Sequence, residues 1–141
     1  MPEISLDTET LGYLRLFEEA TGAHVRDCFL AEDKLVFLID PEGLAKAIGP
    51  SGVRVERLKA LLKKEIMVVA YSDDPGTLAL NIFYAYHPKD VDIRMKGRAR
   101  HVTVTVDPAW KARAIGKQAR NLKIARAILV RHTDLESVSV A

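Results

Sequence analysis

Two short segments of this 141-residue chain combine residue types that could hold an anion. The first is Ile48-Gly49-Pro50-Ser51-Gly52, where two glycines flank a two-residue tip directly before a helical pattern. Glycine lets another backbone approach closely. The helix that follows offers free N–H groups and the positive end of its dipole. A phosphodiester backbone fits that geometry. Pro50 removes one donor, so Ser51 and Gly52 supply the tip N–H groups, and Lys46, Arg54 and Arg57 stand close enough in sequence to add charge. The second segment is Gly116-Lys117-Gln118-Ala119, with Arg113, Arg120 and Lys123 around it. Ala119 takes the place of the last glycine and narrows the backbone options there, which Lys117 can offset by meeting a phosphate directly. This is binding chemistry, not bond-breaking chemistry. Gly-x-x-Gly alone is a weak signal, since most instances are ordinary turns; recurrence between the same two helices, beside basic residues, gives it weight.

Other chemistries find less support. His24, His87, His101 and His132 are scattered at the edges of elements without metal-ligand spacing, and read as surface or packing residues. Asp73-Asp74 precedes Pro75 and reads as a turn rather than a carboxylate pair. Cys28 is the only cysteine, which excludes an internal disulfide and a cysteine-rich metal site. It lies in an alternating strand and reads as a small buried hydrophobe. No phosphate loop ending in Gly-Lys-Ser/Thr occurs. The chain is therefore expected to be no enzyme and to need neither cofactor nor metal. The longest apolar run, Leu78–Tyr86, is interrupted by Asn81 and is too short for a bilayer. No basic segment followed by an apolar one opens the chain, so no membrane association and a cytoplasmic location are expected.

Net charge is only +2, but it is unevenly distributed. Residues 1–74 carry 9 Lys/Arg against 14 Asp/Glu, and residues 75–141 carry 12 against 5. All the bases of the second half lie between Lys89 and Arg131. A basic half of this kind points to a polyanion partner. Trp110, the only tryptophan, could stack on a base or pack between units, and packing is favoured because the helix face holding Ile115 must bury something. Phe83, Tyr84 and Tyr86 read as core or interdomain contacts.

The elements that must position these residues are repeated. Asp40-Pro-Glu-Gly-Leu-Ala-Lys-Ala-Ile-Gly49 recurs as Asp107-Pro-Ala-Trp-Lys-Ala-Arg-Ala-Ile-Gly116, six of ten positions being identical. Val55, Leu58, Leu61 and Leu62 then match Leu122, Ala125, Ile128 and Leu129, at the spacing of a helix's core face. Upstream of each Asp-Pro lie two strands, His24–Leu30 with Leu35–Ile39, and Val91–Arg98 with Val102–Val106, joined by hairpin-short connections. Asp40 and Asp107 are placed to cap the next helix, with Pro41 and Pro108 at its first position. Gly49 or Gly116 ends that helix, a second runs to about Lys64 or Arg131, and a strand closes the unit, Ile66–Tyr71 or Leu135–Val140. A helix precedes each unit, Thr8–Ala20 with Leu11, Leu14 and Phe17 on one face, and Thr77–Tyr86. Each repeat is thus α-β-β-α-α-β, an α+β class. Ser72-Asp73-Asp74-Pro75-Gly76 is a turn-rich join between two domains, 1–74 and 75–141.

This order, with Ile48-Gly49-x-x-Gly52 and Ile115-Gly116-x-x-Ala119 between the central helices, resembles a type II KH domain. Two in tandem resemble the KH pair of the NusA transcription factor family. Asp40–Gly52, Tyr71–Pro75 and Asp107–Asn121 are most similar to the short archaeal NusA-like proteins. The resemblance implies a three-stranded sheet covered on one side by helices, and a loop and groove holding about four nucleotides of single-stranded RNA per domain. It implies a role in transcription elongation, pausing, termination or antitermination, with single-stranded RNA as the partner and RNA polymerase or the ribosome as the assembly in which it would act. A ribosome-associated KH protein and a protein-interaction module that has lost RNA binding are the alternatives.

Overall fold

The structure is a computed structural model that describes residues 8–44 and 53–141, with Val53 and Arg54 described by their backbone only. Lys46, Ile48, Gly49, Pro50, Ser51 and Gly52 lie outside the described residues. The chain divides into two compact units, the first ending at Tyr71 and the second running from Ser72 to Ala141.

In the first unit α1 (Thr8–Thr21) leads into the hairpin of β1 (Val25–Ala31) and β2 (Lys34–Ile39), followed by a 3-10 turn (Pro41–Gly43), α2 (Val53–Leu62) and β3 (Glu65–Ala70). Glu32 and Asp33 form the hairpin turn, both at positive φ, as a two-residue connection between right-twisted strands favours. The sheet order is β1-β2-β3, antiparallel then parallel. A parallel neighbour needs a crossover, and the stretch that ends in α2 supplies it. The core gathers Phe17, Cys28, Leu35, Phe37, Leu58 and Ile66. Phe17 stacks on Phe37 with ring centroids 4.2 Å apart. Two expected core positions face outward instead: Leu11 is 39% and Leu61 67% exposed. The inward stripe of α1 is Tyr13, Leu14, Phe17 and Thr21, so the helix is rotated away from Leu11. Leu35 to Ile39 are all fully buried, a continuous run where alternation was expected, so β2 is covered on both faces.

The second unit repeats the order: α3 (Pro75–Ile82), a 3-10 turn (Tyr84–Tyr86), β4 (Pro88–Lys96), β5 (Ala99–Val106), a 3-10 turn (Pro108–Trp110), α4 (Lys111–Ile115), a 3-10 turn (Lys117–Ala119), α5 (Arg120–His132) and β6 (Ser137–Val140). Its sheet is β4-β5-β6, again antiparallel then parallel. The hairpin is longer, with β4 of 9 residues against 7 for β1 and β5 of 8 against 6 for β2. Its turn is Gly97-Arg98, not Ala99-Arg100 as expected, because Lys96 pairs with Ala99 and Gly97 takes the positive φ. Two caps also differ from expectation. Asp107 accepts from Ala109 N at 3.0 Å, but Asp40 makes no cap and instead faces Arg26 at 3.4 Å. The join contributes its own cap: Asp74 accepts from Thr77 N and Oγ1, each at 2.8 Å. Those donors, the amide first, hold its carboxyl below the ordinary carboxylate range. Helix α3 therefore starts at Pro75 and gives way to the 3-10 turn after Ile82, whereas Thr77–Tyr86 was expected. The strand expected from Leu135 starts at Ser137, Leu135 being tied to Thr133 Oγ1 at 3.0 Å.

Val102, Val104 and Val106 are buried, while His101 and Thr103 alternate with them on the other face of β5. His101 Nδ1 lies 2.6 Å from Ser137 Oγ and its Nε2 2.8 Å from Ser139 Oγ. No buried side-chain nitrogen or oxygen among the described residues lacks a partner. Burial, and secondly the charge of Lys96, push the His101 pKa down. The fold therefore prefers the neutral ring. Its contribution is complete above the unfolded pKa of about 6.5 and is lost as pH falls through the lower folded value. Melting curves from about pH 7.5 to about pH 5 should show a falling Tm, with His101→Gln flattening that slope in part; an unchanged slope would exclude His101 as its source.

Candidate functional site

Helix α4 stops because of what the backbone must do next. Gly116 stands at φ 82 and ψ 163, a conformation essentially closed to residues with a Cβ. A Cβ there would also lie 3.0 Å from Asn121 N and 3.1 Å from Asn121 Cγ. Glycine is therefore required twice over. Asn121 fills the space left open: its Nδ2 donates to Arg113 O at 2.9 Å and to Tyr86 Oη at 3.1 Å. One side chain thus ties the last turn of α4, the first turn of α5 and the 3-10 turn before β4. In the repeat Asn121 stands where the first copy has Arg54.

Between those anchors Gln118 and Ala119 both take left-handed conformations, φ 56 and φ 59. Ala119 therefore takes a backbone conformation that favours glycine, at a cost of about 1–2 kcal/mol. Its N–H donates to Gly116 O at 3.1 Å, and Arg120 N–H donates to Lys117 O. These amides are used within the loop. Among the junction's residues Lys117, Arg113 and Lys123 add positive charge on exposed side chains.

Those side chains are well placed. Lys117, Gln118, Arg113 and Lys123 are exposed, and Ile115, Gly116, Ala119 and Arg120 are half-buried. The structure thus brings together the residues expected of the second site. Of the first site it describes Arg57, exposed on α2. Sequence reasoning missed Tyr86, Asn121 and His87. A polar residue two places into a helix that follows a glycine junction was the available signal for Asn121. Tyr84, expected in the core, is 78% exposed. Trp110 meets the His87 ring at 4.6 Å between centroids and lies under the Arg113 guanidinium at 4.8 Å. Cys28 is buried. Among the described residues no group of three His, Cys, Asp or Glu could hold a metal, and no helix is long and apolar enough to cross a membrane.

The junction's strain gives opposite expectations for its two ends. Ala119→Gly should raise stability by about 0.5–1 kcal/mol, the relieved strain exceeding the added freedom of the unfolded chain. Gly116→Ala should lower it by about 1–3 kcal/mol. Denaturant titration of both variants checks the pair, and a destabilising Ala119→Gly would show that the left-handed turn is not strained.

Comparison with known proteins follows the same boundaries. No family model matches the chain. Three curated archaeal relatives carry the name "Probable transcription termination protein NusA". The Methanococcus vannielii protein is 31% identical over 97% of this chain and 79% of its own length. The Halococcus morrhuae protein is 30% identical over 98% and 99%, and the Thermoplasma acidophilum protein 28% identical over 99% and 97%. The crystal structure of APE1850 matches 96% of this chain and all of its own, at 30% identity and a TM-score of 0.79. These names describe a transcription termination protein rather than an enzyme. Aligned nearly end to end with such relatives, the chain belongs to the archaeal NusA-like family of transcription termination proteins.

Proposed function

We propose that the protein acts in transcription by binding single-stranded RNA through two tandem type II KH domains, residues 1–74 and 75–141. The observation that carries this reading is the exposed basic junction of the second unit. A strained helix–glycine–helix turn presents Lys117 and Gln118 at its tip, with Arg113 and Lys123 exposed beside it. A single strand can lay its phosphates along such a turn, and each unit suits about four nucleotides. The mixed three-stranded sheets and the α-β-β-α-α-β order of the second unit support the KH reading. The names of the relatives support transcription over the ribosome as the setting. Elongation, termination and antitermination on RNA polymerase are the outcomes such binding would serve in the cytoplasm. Lys46, Ile48, Gly49, Pro50, Ser51, Gly52, Arg54 and Arg57 form the corresponding proposed site of the first domain.

The test is titration of labelled single-stranded and duplex RNA of equal length at several salt concentrations. The single strand should bind more tightly, with log affinity falling by about 0.7 per phosphate neutralised for each log unit of salt. The Lys117→Asp, Gln118→Asp double variant should lose about tenfold or more, because a charge-assisted contact becomes a repulsion. Preference for duplex, or parent-like binding by the double variant, would refute phosphate binding at this loop.

A further inference from the structure

The corner where the second unit's Pro108–Trp110 turn meets the entry to β4 differs in kind from its counterpart in the first unit. In the first, buried Gly43 has no room for a side chain: a Cβ would stand 3.0 Å from Ala23 Cβ. In the second, the same position of the repeat is Trp110, only half-buried. Its ring meets His87 at 4.6 Å and 54°, and Arg113 lies over it at 4.8 Å from the centroid. Arg113 and His87 are exposed. The core beneath is filled by other residues, Ala114, Ile124 and Ile128 among them, all fully buried. The pile is part of the junction, because Arg113 O is the group that Asn121 holds. The turn that leads into His87 carries Tyr84, 78% exposed, and is tied to the same Asn121 through Tyr86.

We propose that the His87–Trp110–Arg113 pile is a stacking site for an unpaired nucleobase, received on the outer side of the Arg113 guanidinium, with Tyr84 as the neighbouring exposed ring. The inference rests on the single-strand reading above and adds a contact to base where that reading has contacts to phosphate. Splayed bases of a single strand stack on aromatic rings and on guanidinium planes. A guanidinium already held over an indole loses little further freedom when a base settles on it. Lysine at this position would keep the charge and lack the plane. The first unit has Gly43 at this corner, so this pile at the helix–glycine–helix junction is a feature of the second unit.

Two strands of roughly ten nucleotides separate the terms: an ordinary single-stranded RNA and one of the same length with abasic positions. Trp110 is the only tryptophan, so its emission reports the pile directly. The base-bearing strand should quench that emission and bind about 5- to 100-fold more tightly than the abasic one. Arg113→Lys should remove most of that preference, and Tyr84→Ala should reduce it. Equal binding of the two strands, or a preference unchanged in both variants, would overturn the stacking site and leave phosphate binding standing. Failure of the intact protein to bind either strand would overturn the single-strand reading itself, and this inference with it.

Discussion

The second unit depends on a contact with no room to spare. Asn121 N stands 3.0 Å from where Gly116 would carry a Cβ, so helix α5 can begin here only if the residue before the loop has none. Once that approach is made, the rest of the junction follows. The backbone at φ 82 ends α4. The Asn121 amide takes up Arg113 O, a carbonyl that the end of a helix leaves without an internal partner. The start of α5 in turn sets which residues it buries, namely Ile124, Ala125, Ile128 and Leu129 against the sheet. A one-residue shift at the loop would rotate that face by a full helical step and expose it.

The two units build one topology and dress it differently. In the first, Lys59 meets Glu56 and Glu65, and Arg26 meets Asp40 and lies over the Tyr71 ring. In the second, Arg94 and Arg100 meet Asp92 and Asp134, but Lys117 and Lys123 have no carboxylate partner among the described residues. Exposed pairs of this kind add little stability. The potential follows the overall count instead: carboxylates outnumber bases 14 to 9 over residues 1–74, and bases outnumber carboxylates 12 to 5 over residues 75–141. The charge asymmetry of the sequence therefore survives folding as a localised patch.

The repeat, the α-β-β-α-α-β order of the second unit and its Asp107 cap were legible in the sequence, because each rests on local rules: periodicity, proline placement and side-chain capping. What was not legible depends on three-dimensional packing. Leu11 and Leu61 satisfy a helical stripe on paper, yet α1 and α2 are rotated so that Phe17 and Leu58 take the core. Tyr84 looked like part of an apolar helix, but α3 ends at Ile82 and the 3-10 turn carries the ring into solvent. The hairpin turn was misplaced because the positive φ it needs falls on Gly97, one residue before Arg98, and not on Ala99. The residues proposed for the second site were drawn from spacing and charge. Asn121 was not, since its role arises from a close approach between segments that the sequence does not display.

The loop's internal hydrogen bonds divide the labour at the site. Ala119 and Arg120 N–H groups close the turn on itself, which stiffens the backbone and withdraws those dipoles from any ligand. Lys117 and Lys123 are long exposed side chains whose pull reaches about a Debye length and is screened by salt. Such charges draw in a polyanion without regard to its sequence. Discrimination requires a group fixed in position, since phosphate contacts place a strand and base contacts identify it. At this junction Arg113 answers that description: its carbonyl is pinned by Asn121 and its guanidinium rests on Trp110. The same turn that costs the chain strain at Ala119 therefore anchors the backbone of the one cation whose guanidinium rests on a ring, and that fixed group is where a base contact would be read.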